Sequence, residues 1–266
     1  MTDILALRNQ QVLERYASSN LLVGFDYDGT LAPIVSAPER AHMRPITRRL
    51  LTGVAERYPC VVISGRSRDD LVHRLRDVPI VHVSGNHGLE PWAEEPRYIR
   101  QAQRWVQLLS PRLAPFRGIV IENKTYSISI HYRAARDKAH ALQVIDRATR
   151  DLPGSRRIGG RMVVNLLPKG APTKGTALER ARRLLVCDVA LYVGDDETDE
   201  DVFGIHGPER LLSVRVGAAA ESRAKYCLKH QGEIDKLLRR LVALRQRVPV
   251  EAGHDGSDGL KAVRYR

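Results

Sequence analysis

Uninterrupted apolar runs punctuate this chain, and each ends abruptly in polar residues. Leu21-Leu22-Val23-Gly24-Phe25 runs straight into Asp26-Tyr27-Asp28-Gly29-Thr30. Cys60-Val61-Val62-Ile63 and Leu191-Tyr192-Val193-Gly194 repeat the pattern, the first meeting Ser64-Gly65-Arg66 and the second an acidic stretch from Asp195 to Asp201. Short runs of this kind read as strands buried on both faces, which is the habit of parallel sheets. Helical stretches lie between them, including Gly175–Ala181 and an amphipathic segment over 231–247. Strands alternating with helices predict an α/β fold with a doubly wound, mostly parallel, Rossmann-like core.

About a hundred residues separate Ser64 from Lys174, far more than one strand-to-strand crossover needs. Within that gap the pattern predicts a helix over 97–113, strands over 118–122 and 125–133, a helix over 135–150, and strands over 155–159 and 161–167. The gap therefore reads as an inserted α+β cap domain, bounded by Pro91 and Pro172. The expected division is a core of 1–90 and 171–250, a cap of 91–170 and a mobile Gly/Asp/Ser-rich tail of 251–266. Gly85-Asn86-His87-Gly88-Leu89-Glu90 would be the last core loop before the cap.

The polar residues that close the runs carry the chemistry. In an extended segment, residues i and i+2 face the same side, so Asp26 and Asp28 can address one reacting group. Open α/β sheets bind ligands just beyond the carboxyl ends of their strands, which suits a nucleophile paired with a general acid/base. A plain strand-to-turn junction would also favour Asp and Gly. The run Asp195–Asp201 is not an EF-hand loop, because Glu200 stands where the turn needs Gly. Taken singly, Ser64 reads as a turn or N-cap residue and Lys174 as a surface lysine, with Lys169 as a rival. Lys174 is preferred because the helix from Gly175 follows it directly.

Together, Asp26-Tyr27-Asp28-Gly29-Thr30, Ser64, Lys174 and Gly194-Asp195-Asp196 resemble, in order, the four motifs of the haloacid dehalogenase superfamily, mostly Mg²⁺-dependent phosphatases. The resemblance implies Asp26 as nucleophile, Asp28 as acid/base, and Ser64, Gly65 and Lys174 around the phosphate. It implies Mg²⁺ held by Asp26, the Asp28 backbone carbonyl, Asp195 and Asp196, with Asp199 as a further partner. An all-oxygen ligand set fits that ion. The longer segments Asp26–Ile34, Ser64-Gly65-Arg66, Gly85–Glu90, Glu122-Asn123-Lys124, Ser129–Arg133 and Gly194–Asp201 are similar to the trehalose-6-phosphate phosphatase family. That likeness implies sugar contacts from Glu122 and Lys124 of the cap and from Arg66, Asn86, His87 and Glu90 of the core. One position departs: Asn165 stands where the family usually carries an acidic residue. It remains a sugar-binding candidate, and the departure keeps glucosylglycerol phosphate, sucrose phosphate and pseudo-disaccharide phosphates open beside trehalose 6-phosphate.

Composition narrows the alternatives. The cap segment 91–170 holds fifteen Lys/Arg against six Asp/Glu, so +9 of the chain's +12 lies there. A basic cap over an acidic site steers an anionic substrate. Nucleic-acid binding is the competing use of such charge, but aromatics are only 5% of the chain and no nucleic-acid motif is present. A silent sugar-phosphate-binding protein is a third class, and mere binding does not require Asp28. No run reaches the roughly 18 apolar residues of a membrane span. The N-terminus lacks a signal-peptide pattern, and the three scattered cysteines suit a reducing compartment. The expectation is a cytoplasmic monomer acting on a small-molecule sugar phosphate, without nucleic-acid or membrane partners.

Overall fold

The computed structural model of the chain describes residues 1–246 apart from 36, 93, 94, 161, 206 and 208. Its elements, in chain order, are β1 (Thr2–Asp3), α1 (Gln10–Ala17), β2 (Leu21–Phe25), α2 (Pro45–Ala55), β3 (Cys60–Ile63), α3 (Arg68–Arg74) and β4 (His82–Ser84). Next come α4 (Pro96–Leu113), β5 (Val120–Asn123), β6 (Ile128–His131), α5 (Lys138–Thr149), β7 (Ser155–Gly160) and β8 (Val163–Pro168). The chain then forms α6 (Lys174–Leu184), β9 (Val189–Gly194), α7 (Glu200–Phe203), β10 (Leu211–Val216), β11 (Tyr226–Leu228) and α8 (Ile234–Gln246).

Seven strands make one sheet in the order β1-β11-β10-β9-β2-β3-β4, and every pairing in it is parallel. From β2 the chain first steps outward through β3 and β4, and later returns on the other side through β9, β10 and β11. The order therefore reverses beside β2, where an open α/β sheet leaves a crevice for ligand. Both faces are covered, which explains the unbroken apolar runs. Leu21, Val23 and Phe25 pack with Leu13, Leu51 and Leu237 on one side, while Leu22 packs with Leu178, Ala190 and Tyr192 on the other. Gly24 is required at its position: a Cβ there would stand 2.8 Å from the Tyr192 ring and 2.9 Å from Leu178.

The cap forms a separate antiparallel sheet, β5-β6-β8-β7. Register pairs Ile128 with Leu166 and Ile130 with Val164, and these four residues turn inward with Trp105 and Leu109 of α4 and Ile145 of α5. The alternate positions Ser129 and Asn165, also paired, belong to the opposite face, as the period of two demands. β5 and β6 begin later than their sequence pattern suggests, because Gly118 and Thr125 adopt positive φ (87° and 70°) and turn the chain, whereas β7 begins at Ser155 as expected. Likewise α5 starts at Lys138 because the Asp137 carboxylate caps it, accepting from the His140 N–H. The stretch read as a helix over 231–247 opens as a 3-10 turn at Gln231–Glu233 before α8; residue 247 and the tail 251–266 lie outside the described residues.

Two further features were not legible beforehand. Thr2–Asp3 adds an edge strand parallel to β11, and Leu13 and Tyr16 of α1 join the core. Among the described residues, no helix is long and apolar enough to cross a membrane.

Candidate active site

Strand register gathers the chemistry at one edge of the sheet. Phe25 is level with Val62 and Val193, so the residues that follow each strand emerge side by side. Asp26 continues the ladder for one residue by donating its N–H to the Val193 carbonyl at 2.9 Å. Ser64 does the same to Ser84 at 3.0 Å. Asp26, Ser64 and Lys174 are all buried.

Lys174 reaches this edge from the first position of α6, whose N-cap Thr173 forms a capping box with Thr176. Such a box fixes the entry of the helix. The ammonium donates to Asp26 Oδ1 and Asp199 Oδ1, both at 2.9 Å, and lies 3.8 Å from Asp196 Oδ1. Asp199 is saturated: Oδ1 also accepts from the Tyr192 hydroxyl at 2.8 Å, and Oδ2 accepts from the backbone N–H groups of Asp195 and Asp196. Its carboxylate thus mounts the lysine and shapes the acidic loop. Burial opposes the charge on Lys174, but Asp196, Asp199 and Asp26 outweigh it and hold the ammonium well above the usual lysine value. Burial pushes the Asp26 carboxyl up, Lys174 opposes, and Asp199, Asp195 and Asp196 add to the rise.

Asp195 is differently placed. Its side chain accepts from the Thr30 hydroxyl at 3.4 Å and also meets the Asp26 carboxyl in a hydrogen bond. Burial, then Asp196 and Asp199, push it up to about 7. Asp196 accepts from the Thr198 hydroxyl and N–H; burial works against its charge, but Lys174 prevails and holds it down at about 2. Carboxylate oxygens of Asp26, Asp195 and Asp199 lie within 4.8 Å of one another. Like charges about 4 Å apart repel by about 4 kcal/mol at an effective dielectric near 20, and one ammonium does not offset such a cluster. Gly29, at φ 84°, leaves room for the loop: a Cβ there would stand 2.1 Å from Asp195 Oδ2. The carboxyls of Asp26 and Asp195 lie side by side and could hold a hard cation between them, whereas the oxygens of Asp199 are taken.

Asp28 lies at the mouth. Arg66 clamps both of its oxygens, Nε on Oδ2 at 2.6 Å and Nη2 on Oδ1 at 2.7 Å. Gly65 leaves no room for a side chain, since a Cβ would stand 2.5 Å from the His87 ring. His87 itself donates its N–H to the Ser64 carbonyl. Burial, with Lys174 and Lys124 close by, pushes its imidazole down to about 3.

The cap supplies the opposite wall. Lys124 donates its ammonium to the Gly65 carbonyl at 3.0 Å, joining the β5–β6 turn to the loop that follows β3. Glu122 meets His131 Nε2 at 2.7 Å, a hydrogen bond that leads in holding its carboxyl below the usual glutamate value. Arg133 donates to the Val35 carbonyl at 3.0 Å. Asn165 accepts from the Ser129 hydroxyl at 2.6 Å. Between cap and core lies a cleft of about 340 Å³ whose lining includes Asp26, Asp28, Ser64, Gly65, Arg66, His87, Glu122, Lys124, Asn165, Lys174, Asp195 and Asp196. Two of the sequence candidates stand outside that lining. Asn86 is spent on a strut to the cap, donating to the Lys124 carbonyl and accepting from the Ser127 hydroxyl. Glu90 accepts from the Arg68 N–H at 2.6 Å and ties its loop to the start of α3. The cleft lining also includes Asp70, Ile34, Val35, His131 and Arg133. Asp70 was invisible as a site residue, although its spacing of four from Arg66 is a helix-pair signal.

The trehalose-phosphatase family model matches residues 24–231. The chain is 28% identical to a probable trehalose-phosphate phosphatase D of Arabidopsis thaliana over 263 residues, covering 89% of this chain and 71% of that protein. It is 34% identical to a trehalose-phosphate phosphatase of Mycobacterium tuberculosis over 206 residues, 70% of this chain and 51% of the other, so it spans about half of that relative. Its fold is similar to that of the C-terminal domain of a Candida albicans trehalose-6-phosphate phosphatase, with a TM-score of 0.76, 23% identity, and coverage of 92% and 99%. It also matches a phosphatase of the haloalkanoate (HAD) enzyme superfamily from Bacteroides thetaiotaomicron, with a TM-score of 0.57, 15% identity, and coverage of 84% and 96%. With its strand-end carboxylates, buried lysine and capped cleft, the chain belongs to the trehalose-phosphatase family of phosphoric monoester hydrolases.

Proposed function

We propose that the protein is a Mg²⁺-dependent phosphatase that hydrolyses trehalose 6-phosphate to trehalose and phosphate through a phosphoaspartate on Asp26. The observation that carries the reading is the meeting of Asp26, Asp28, Ser64, Lys174 and Asp195 in one cleft, under a cap wall bearing Glu122, Lys124, His131 and Asn165. In the same reading, residues 1–90 and 171–250 act as the catalytic core and 91–170 as the cap that closes on the sugar.

The donor set suits a divalent cation. Asp195 has no cation in contact among the described residues, its carboxylate sits beside Asp26, and every available ligand atom is oxygen. Asp26, Asp195 and the Asp28 carbonyl would hold the ion, with Asp196 beside it. Bound there, Mg²⁺ would neutralise the carboxylates and draw charge from a phosphoryl oxygen.

Asp26 attacks phosphorus along the line opposite the departing sugar oxygen. Lys174, fixed by Asp199, and the Ser64 hydroxyl bind the phosphoryl oxygens that gain charge. Asp28, held by Arg66 and carrying a proton, passes it to the sugar oxygen. It then takes a proton from the water that cleaves the acyl-phosphate on Asp26, which frees Asp26 as a carboxylate and returns Asp28 to its protonated form. Glu122, Lys124, His87 and Asn165 offer acceptors and donors to sugar hydroxyls.

The test is phosphate release across a panel of sugar phosphates, with and without Mg²⁺, for the native chain and Asp26→Asn. Turnover should favour a disaccharide phosphate, require the metal and vanish in the variant. Near-native turnover of Asp26→Asn, or a preference of about tenfold or more for a monosaccharide phosphate, would sink the reading.

A further inference from the structure

Three charged side chains beyond Asp28 form a chain of their own. Arg66 uses two nitrogens on Asp28, and its third, Nη1, donates to Asp70 Oδ2 at 2.7 Å. Arg74 then donates from Nε to both oxygens of Asp70, at 2.9 and 3.0 Å. Its remaining nitrogens reach the carbonyls of Ala41 and Glu39, in the loop whose Ile34, Val35 and Ala41 line the cleft. Charges alternate along the row: Asp28, Arg66, Asp70, Arg74. Side chains of Arg66 and Arg74 are 12% and 6% exposed, that of Asp70 35%.

The geometry points to Asp70 as a positioning residue for Asp28, acting through Arg66; this rests on Asp28 being the proton donor. A guanidinium gripping a carboxylate by two parallel bonds fixes its plane and its distance. Arg66 can do so only if its own far side is held. Asp70 provides that hold, since one carboxylate can accept from both arginines. An asparagine offers one acceptor and turns an amide N–H toward the other arginine. Whichever arginine meets the amide N–H, the row loses a bond, Arg66 is backed less firmly, and the Asp28 carboxylate would wander from the leaving oxygen. The partial exposure of Asp70 makes the exchange tolerable to the fold.

Leaving groups separate positioning from mere structure. A sugar alkoxide needs the proton that Asp28 delivers, whereas 4-nitrophenolate departs without one. We would measure kcat/KM for trehalose 6-phosphate and for 4-nitrophenyl phosphate in the native enzyme, Asp70→Asn, Asp70→Glu and Asp28→Asn, all with Mg²⁺. Asp70→Asn should lose about 10–100-fold on the sugar phosphate, the scale of a small misplacement of a catalytic group. It should change by less than about twofold on the aryl phosphate, whose departure asks for no proton, and Asp70→Glu should recover much of the loss. Equal losses on both substrates, or none on either, would overturn the inference while Asp28→Asn still discriminates between them. If Asp28→Asn itself fails to discriminate, the acid role of Asp28 falls, and the role given to Asp70 falls with it.

Discussion

Lys174 and Asp26 are 148 residues apart in sequence, yet the lysine ammonium donates to the aspartate Oδ1 at 2.9 Å in the buried floor of the cleft. The contact depends on a mount behind it: Asp199, itself saturated by Tyr192 and two backbone N–H groups, takes the second proton of the ammonium.

Removing that mount should be costly. Asp199→Asn leaves a buried ammonium short of a carboxylate, and breaking a buried pair costs about 3–5 kcal/mol. Chemical denaturation should show that loss. Tyr192→Phe removes only one of four donors and should cost about 1–3 kcal/mol. A ranking in the opposite order would mean that Asp199 is not the hub of the loop.

Asn165 should tune which sugar is accepted. Its Oδ1 already accepts from Ser129, so Asn165→Asp would keep that bond and offer the cleft a second, charged acceptor. The change should move relative kcat/KM toward trehalose 6-phosphate, against glucosylglycerol and sucrose phosphates, by about 1–3 kcal/mol. An unchanged ranking in direct competition would remove Asn165 from the sugar site.

Acid should weaken the fold through His87. Burial lowers its value to about 3, with Lys174 and Lys124 reinforcing the effect, against about 6.5 in an unfolded chain. The folded state therefore binds fewer protons than the unfolded state between those limits. Its contribution is complete above pH 6.5 or so and is lost progressively toward pH 3. In His87→Asn, unfolding free energy measured from pH 7 to 4 should fall less steeply than in the native chain. An identical slope would show that this imidazole takes up its proton without unfolding.

Metal affinity should rise with pH up to about neutrality. In the metal-free protein Asp195 is pushed to about 7, chiefly by burial and then by Asp196 and Asp199. Below that value a cation must displace a proton. Titration calorimetry with Mg²⁺ in buffers of different ionisation enthalpy should detect proton release at pH 6 and little at pH 8. Proton release independent of pH would exclude Asp195 as the group displaced.

Much of the fold was legible because burial on both faces writes itself into composition: Leu21–Phe25, Cys60–Ile63 and Val189–Gly194 have no polar side to misread. The cap was legible for a related reason, since alternation in Ile128–His131 marks one apolar and one polar face and Val163–Pro168 is an apolar run broken only by Asn165. The edge strand Thr2–Asp3 left no such trace. Two residues carry no period, and their pairing with β11 is a property of the neighbour.

The residue types at the strand ends, their order along the chain and hence the reaction class could be read from the sequence. Side-chain partnerships could not. Asn86 and Glu90 share a loop with His87, yet only His87 lines the cleft, because the backbone turns through positive φ at Asn86 and His87. Asp70, unremarkable on its helix, reaches the cleft because α3 lays it against Arg66. A motif specifies which groups a segment carries, and local sterics specify where that segment bends. Which distant group accepts each proton is settled when separate segments are packed to close contact in a space with no water to substitute.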